Sequence, residues 1–112
     1  MKTYKDVYKL PVEDQYGWVY DQKENFVFQF LIEDEEKEKL ILDVINGKQK
    51  LENKELAFIH KNGVIKTNRG EGIILIRGWG NLTGRLNLSD EEAANIQDTF
   101  AEFIVEQLNK RL

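Results

Sequence analysis

The chain has 112 residues, a formal net charge of −4, 41% apolar and 32% charged residues, one proline and no cysteine. That length suits one domain with a single core, and the composition belongs to an ordered protein rather than a disordered tail. The lack of cysteine excludes disulfides, thiolate nucleophiles and Cys-type zinc sites, and no apolar run approaches the roughly 20 residues that span a bilayer.

The first stretch, MKTYKDVYKLPVEDQ, is studded with charges and has no apolar segment of the kind a secretory leader carries. A cytoplasmic setting is therefore expected, with residues 1–15 as a loosely ordered lead-in to a single domain over 1–112. GWVYDQKENFVFQFLI reads as a hairpin: Trp18–Tyr20 suit a strand, DQKEN is turn chemistry, and Phe26, Phe28 and Phe30 alternate with Val27 and Gln29. A period of two predicts all three phenylalanines on one face, toward the core.

In EDEEKEKLILDVINGK the period changes. Leu40, Ile41, Val44 and Ile45 form a helical stripe, Asp34–Glu36 sit where a first turn favours negative charge, and Gly47 marks the stop. ELAFIHKNGVIKT holds an Asn62-Gly63 pair between two apolar stretches, a strong hairpin signal. NRGEG makes a further turn, and Ile73–Ile76 supply a strand apolar on both sides. LSDEEAANIQDTFAEFIVEQLNKRL is a long helix, with Ser89 and Glu92 spaced as a capping box. Ala93, Ile96, Phe100, Phe103, Ile104 and Leu108 line its apolar face.

The order β-β-α-β-β-β-α, without regular βα alternation, predicts an α+β fold. It is a mainly antiparallel sheet of about five strands, with the long C-terminal amphipathic helix packed on one face. Each half ends in a helix that opens on an Asp-Glu-Glu run (Asp34–Glu36, Asp90–Glu92). Acidic first turns are so common that this alone does not establish a duplication.

IILIRGWGNLTG raises the question of a phosphate cradle. A Walker loop needs Gly-Lys-Ser/Thr, and here Gly84 is followed by Arg85-Leu86. A dinucleotide fingerprint needs its glycine turn to open directly into a helix, whereas RLNL intervenes before Ser89. The glycines instead predict a bend out of the sheet, with Trp79 covering an edge of the core.

Other chemistry is sparse. His60 is the single histidine and Ser89 the single serine, and the serine is better used as a helix cap. The acidic runs lack EF-hand spacing. No catalytic residue, cofactor site or metal site is assigned.

Charge is uneven: residues 46–88 hold eight lysines and arginines against three carboxylates. Such asymmetry can mark an anion-binding face or a solvated one. Single-stranded nucleic-acid binding through this region is the sharper alternative, although no RNP motif, zinc finger or basic helix appears.

YKLP, WVYDQKENFVFQF, IRGWGNLTG and IQDTFAEFIVEQLN cover most of the chain. Through them it resembles short uncharacterised proteins of bacterial genomes and of their phages or mobile elements. The resemblance implies a small accessory protein that acts by binding another macromolecule, and it assigns no activity, cofactor or site residue. The leading expectation is a non-catalytic binding module, contacting a protein partner or a second copy of itself as a homodimer, with no membrane contact. Trp18, Arg77, Trp79 and Arg85 are its candidate contacts, because tryptophan and arginine are enriched at binding hot spots. An enzyme of unfamiliar type is the remaining class, and it would need a pocket with converging polar groups around His60 or the glycine loop.

Overall fold

The computed structural model describes residues 1–53 and 57–112. The expected strand start at Glu55-Leu56, and the charges of Lys54 and Glu55, lie outside the described residues. A short helix α1 (Tyr4–Val7) leads into strands β1 (Glu13–Gln15), β2 (Trp18–Tyr20) and β3 (Phe26–Phe30), then helix α2 (Glu35–Ile45). Strands β4 (Phe58–Lys61), β5 (Val64–Thr67) and β6 (Gly72–Ile76) follow. A π-helical turn over Asn81–Arg85 then precedes helix α3 (Asp90–Asn109). The fold is α+β as expected, an antiparallel sheet in the order β1-β2-β3-β6-β5-β4 with α3 packed on it.

The strand count is six rather than five. The additional strand, β1, lies at the sheet edge with all three side chains exposed, so it carries no apolar alternation. Residues 1–15 also depart from the expected loose lead-in. They supply α1, β1 and two core side chains, Tyr8 and Val12, and Tyr4 stacks on Phe103 of α3 at 5.0 Å.

The two halves are one β-β-β-α unit used twice. A constant shift in numbering carries the Tyr16-Gly17 turn (φ 59° and 91°) onto the Asn62-Gly63 turn (φ 51° and 79°). Both pairs have the positive φ that a tight two-residue hairpin demands. The same shift carries Asp21 onto Thr67. Asp21 N–H donates to the Asn25 carbonyl and Asp21 Oδ1 accepts from Asn25 N–H; Thr67 N–H donates to the Glu71 carbonyl and Thr67 Oγ1 accepts from Glu71 N–H. Each β-hairpin is then broken at the same place, between Val19 and Tyr20 and between Ile65 and Lys66. Each unit closes alike. Asn46, capping α2, exchanges two side-chain hydrogen bonds with Val12, and Asn109, ending α3, exchanges two with Phe58. The units meet at β3 and β6, where Phe28 faces Ile76 and Phe30 faces Ile74 about the central pair Gln29 and Leu75.

All three helices share one core with one side of this sheet. Val19, Phe28, Phe30, Ile65 and Ile74 pack there with Ile41, Val44 and Ile45 of α2 and Ile96, Phe100, Ile104 and Leu108 of α3. Ser89 and Glu92 form the expected capping box: Glu92 N–H donates to Ser89 Oγ at 3.1 Å and Ser89 N–H to Glu92 Oε1 at 3.4 Å. Gly47 stops α2 with φ 77°, its N–H donating to the Val44 carbonyl and that of Lys48 to the Asp43 carbonyl.

The expected common face of Phe26, Phe28 and Phe30 is corrected. The register passes from Val19 opposite Phe28 to Tyr20 opposite Phe26, which leaves Val27 as an extra residue. A bulge of this kind reverses the alternation. Phe28 and Phe30 stay inside, and Phe26 emerges on the opposite side with Trp18 and Tyr20.

Candidate functional site

The side of the sheet away from the helices is uncovered. Residues paired across antiparallel strands point the same way, so the register assigns Trp18 and Gln29, Leu75 and Val64, and Lys66 and Ile59 to this outer face. Three of its apolar side chains are strongly exposed: Trp18 (47%), Leu31 (44%) and Ile59 (45%). Leu31 lies above Gly72, where a Cβ would stand 3.3 Å from its Cδ1.

Aromatic and cationic groups are organised around Phe26. Trp18 stacks on it with ring centroids 5.1 Å apart, Tyr20 stacks on it at 5.3 Å, and the Arg77 guanidinium carbon lies 5.5 Å from the ring centre. Arg77 also donates to Gln29 Oε1 at 3.4 Å. Trp79, 43% exposed, shares with Phe26, Arg77, Asn81 and Gln97 a groove of about 380 Å³ at the end of β6. Of the four candidate contacts, Trp18 and Arg77 therefore meet at Phe26, and Trp79 lines a groove that Phe26, Arg77 and Gln97 of α3 also line. Arg85 does not join them. From the π-helical turn it donates to Asn25 Oδ1 (3.3 Å) and the Lys23 carbonyl (3.4 Å), tying that turn to the β2–β3 loop.

The glycine segment makes a bend, and one glycine dictates it. Gly78 has φ 98°, and a Cβ there would collide with the Phe26 carbonyl oxygen. Gly80 and Gly84 have nothing within 4 Å of a Cβ position. The turn after Gly80 is π-helical, with Leu86 N–H reaching the Asn81 carbonyl.

Beside this bend lies a buried polar knot. The Asp21 carboxylate accepts four hydrogen bonds, from the N–H groups of Lys9 (2.8 Å), Lys23 (2.9 Å) and Asn25 (2.8 Å) and from Asn25 Nδ2 (3.0 Å). Asn25 Oδ1 in turn accepts from Asn81 Nδ2 at 2.8 Å. The nearby Tyr8 hydroxyl is buried without a hydrogen-bond partner, and burial first, then the Asp21 charge, raise its pKa above the usual tyrosine range. The Asp21 carboxylate and the Asn25 side-chain oxygen are thus spent on the fold, and only the Tyr8 hydroxyl beside them is left without a partner.

On the helix side, Glu38 of α2 is 92% buried by accessible area. Burial raises its pKa, and the charges of Asp14, Glu35, Asp34 and Glu33 raise it further. The first-turn acids expected from the sequence, Asp34–Glu36, thus extend to a buried carboxyl at Glu38. Among the described residues no cluster of three or more His, Cys, Asp or Glu is placed to hold a metal ion.

His60 is half-buried, and its Nε2 accepts from Gly63 N–H at 3.0 Å, bracing the β4–β5 turn. A groove of about 660 Å³ between β1 and α2 is lined by acids and lysines, among them Asp14, Glu35, Asp43, Lys39 and Lys48, and brings together no serine or histidine. Among the described residues no helix is long and apolar enough to cross a membrane.

In comparisons with known proteins, no family model, curated protein or solved structure matches this chain. The functional reading therefore stands on the geometry.

Proposed function

We propose that this chain is a small, non-catalytic binding or accessory module that works through the uncovered face of its sheet. The observation that carries the reading is the asymmetry of that sheet. One side is buried under α2 and α3, whereas the other leaves Trp18, Leu31 and Ile59 exposed among the described residues. Exposed apolar side chains gathered on one open face among polar groups suit a contact site.

Comparison of the two repeated units supports the same surface. Inward positions keep their apolar character, with Val19 equivalent to Ile65, Val27 to Ile73 and Phe28 to Ile74, all fully buried. Outward positions differ in kind: Trp18 stands where the second unit has Val64, Tyr20 where it has Lys66, and Phe26 where it has Gly72. Packing explains the inner agreement, and use explains the outer difference. The cysteine-free composition favours a cytoplasmic setting for such a module.

A photo-cross-linking side chain at Ile59, on the open face, tests the reading against the same group at Glu102, exposed on α3. In cells, Ile59 is expected to give adducts that disappear with Lys66→Glu, directly opposite on β5, and Glu102 to give none. Adducts from Glu102 alone, or from neither position, would overturn it.

A further inference from the structure

Resting on that reading, we propose that the occupant of the open face is single-stranded nucleic acid, laid across the strands from Trp18 to Lys61.

Charge is the first argument. Outward cations stand on three neighbouring strands: Arg77 at the end of β6, Lys66 on β5 and Lys61 on β4. Among the described residues, strands β3 to β6 contain no carboxylate, although the whole chain carries −4. Glu13 lies on the far edge strand β1, and Glu71 is paired with Lys37 of α2 at 3.6 Å. A local cationic field on an acidic protein calls for an anionic partner. The same field disfavours a second copy of this face, which would oppose cation to cation.

The second argument is the rings. Trp18 on β2 and Trp79 beyond β6 are each more than two-fifths exposed, Trp18 stacked on Phe26 and Trp79 lining a groove with Phe26 and Arg77. The Trp18 indole rests on Phe26 and still keeps nearly half of its surface exposed, area on which a base can stack. Rings on an open antiparallel sheet stack splayed bases, and flanking cations hold the phosphates. A duplex hides its base faces and gains only the charge contacts. An acidic peptide would use the cations but leave the indoles idle. From β2 to β4 the face crosses four inter-strand spacings of about 4.8 Å, roughly 19 Å, enough for a few unstacked nucleotides.

Fluorescence anisotropy with labelled oligo(dT) and oligo(U) of about twelve nucleotides tests this, with the matching duplex and a polyglutamate peptide as competitors. Three neutralised phosphates predict a log–log salt slope of about −2, so binding weakens about 20-fold between about 50 and 200 mM salt. Trp18→Ala is expected to weaken binding at least about fivefold. Lys61→Ala, an exposed side chain whose loss leaves the fold intact, is expected to weaken it and reduce the slope by about 0.7. Lys48→Ala, in the groove beside α2, should change nothing.

Single-strand affinity weaker than about 10⁻⁴ M at moderate salt would overturn the proposal. So would a duplex bound as tightly as a single strand, or polyglutamate competing equally while Trp18→Ala has no effect. Ile59 adducts that resist nuclease but yield to protease, with no oligonucleotide binding, would reject nucleic acid and retain the binding face. The absence of any adduct would reject both.

Discussion

Trp18 lies almost parallel to Phe26, with ring planes 11° apart and centroids separated by 5.1 Å. This contact exists only because the chain carries an extra residue at Val27, which turns Phe26 out of the core. Phe26 thereby becomes the keystone of the open face, touching Trp18, Tyr20 and Arg77 at once. Phe26→Ala should cost about 2 kcal/mol in urea unfolding, from the loss of two ring pairs, and should shift tryptophan emission to the red. Unchanged stability and emission would contradict the stack.

Gly78 is the glycine that the bend requires. Gly78→Ala combines a positive φ with a clash against backbone at Phe26, so a loss of at least about 3 kcal/mol is expected. Gly80→Ala and Gly84→Ala meet open space and should be neutral or slightly stabilising. Thermal unfolding of the three variants separates them, and equal losses would contradict the bend as described.

Much of the fold was legible because local chemistry and global packing agree. The Asn62-Gly63 turn, the Ser89–Glu92 capping box and the apolar stripe of α3 each state their own structure. What escaped was set by tertiary context. Edge strand β1 is Glu-Asp-Gln, held by pairing with β2 rather than by burial. The bulge at Val27 leaves no signal in an alternating Phe-Val-Phe pattern. The candidate site was half legible: indoles and guanidinium groups point to contacts, but strand order β2-β3-β6 decides that Trp18 and Arg77 meet over Phe26 and that Arg85 does not.

Glu38 makes stability depend on pH in a definite direction. In the unfolded chain its carboxyl titrates near 4.5, and in the fold its pKa is raised, by burial first and then by Asp14, Glu35, Asp34 and Glu33. The folded state therefore holds the proton more tightly, and stability falls as pH rises through the folded pKa. Glu38→Gln removes that penalty. It should raise Tm by a few degrees at pH 7, with the gain vanishing below about pH 4.5. A gain that persists unchanged to pH 3 would contradict this assignment.

The polar knot predicts opposite outcomes for two neighbouring substitutions. Asp21→Asn places an amide donor among groups that already donate, and should cost about 2–4 kcal/mol. Tyr8→Phe deletes a hydroxyl that has no partner, and should be neutral or stabilising by about 1 kcal/mol. Chemical denaturation measures both, and a comparable loss for Tyr8→Phe would show that the hydroxyl is engaged.

The most direct test of the open face is a proton–nitrogen NMR titration with a single-stranded oligonucleotide of about twelve residues. The indole N–H group of Trp18 and the amides of Gln29, Lys66 and Arg77 should shift together, while those of α2 and of α3 after Phe100 stay fixed. Shifts confined to α2, α3 or the groove beside β1, or no shifts at all, would contradict the account.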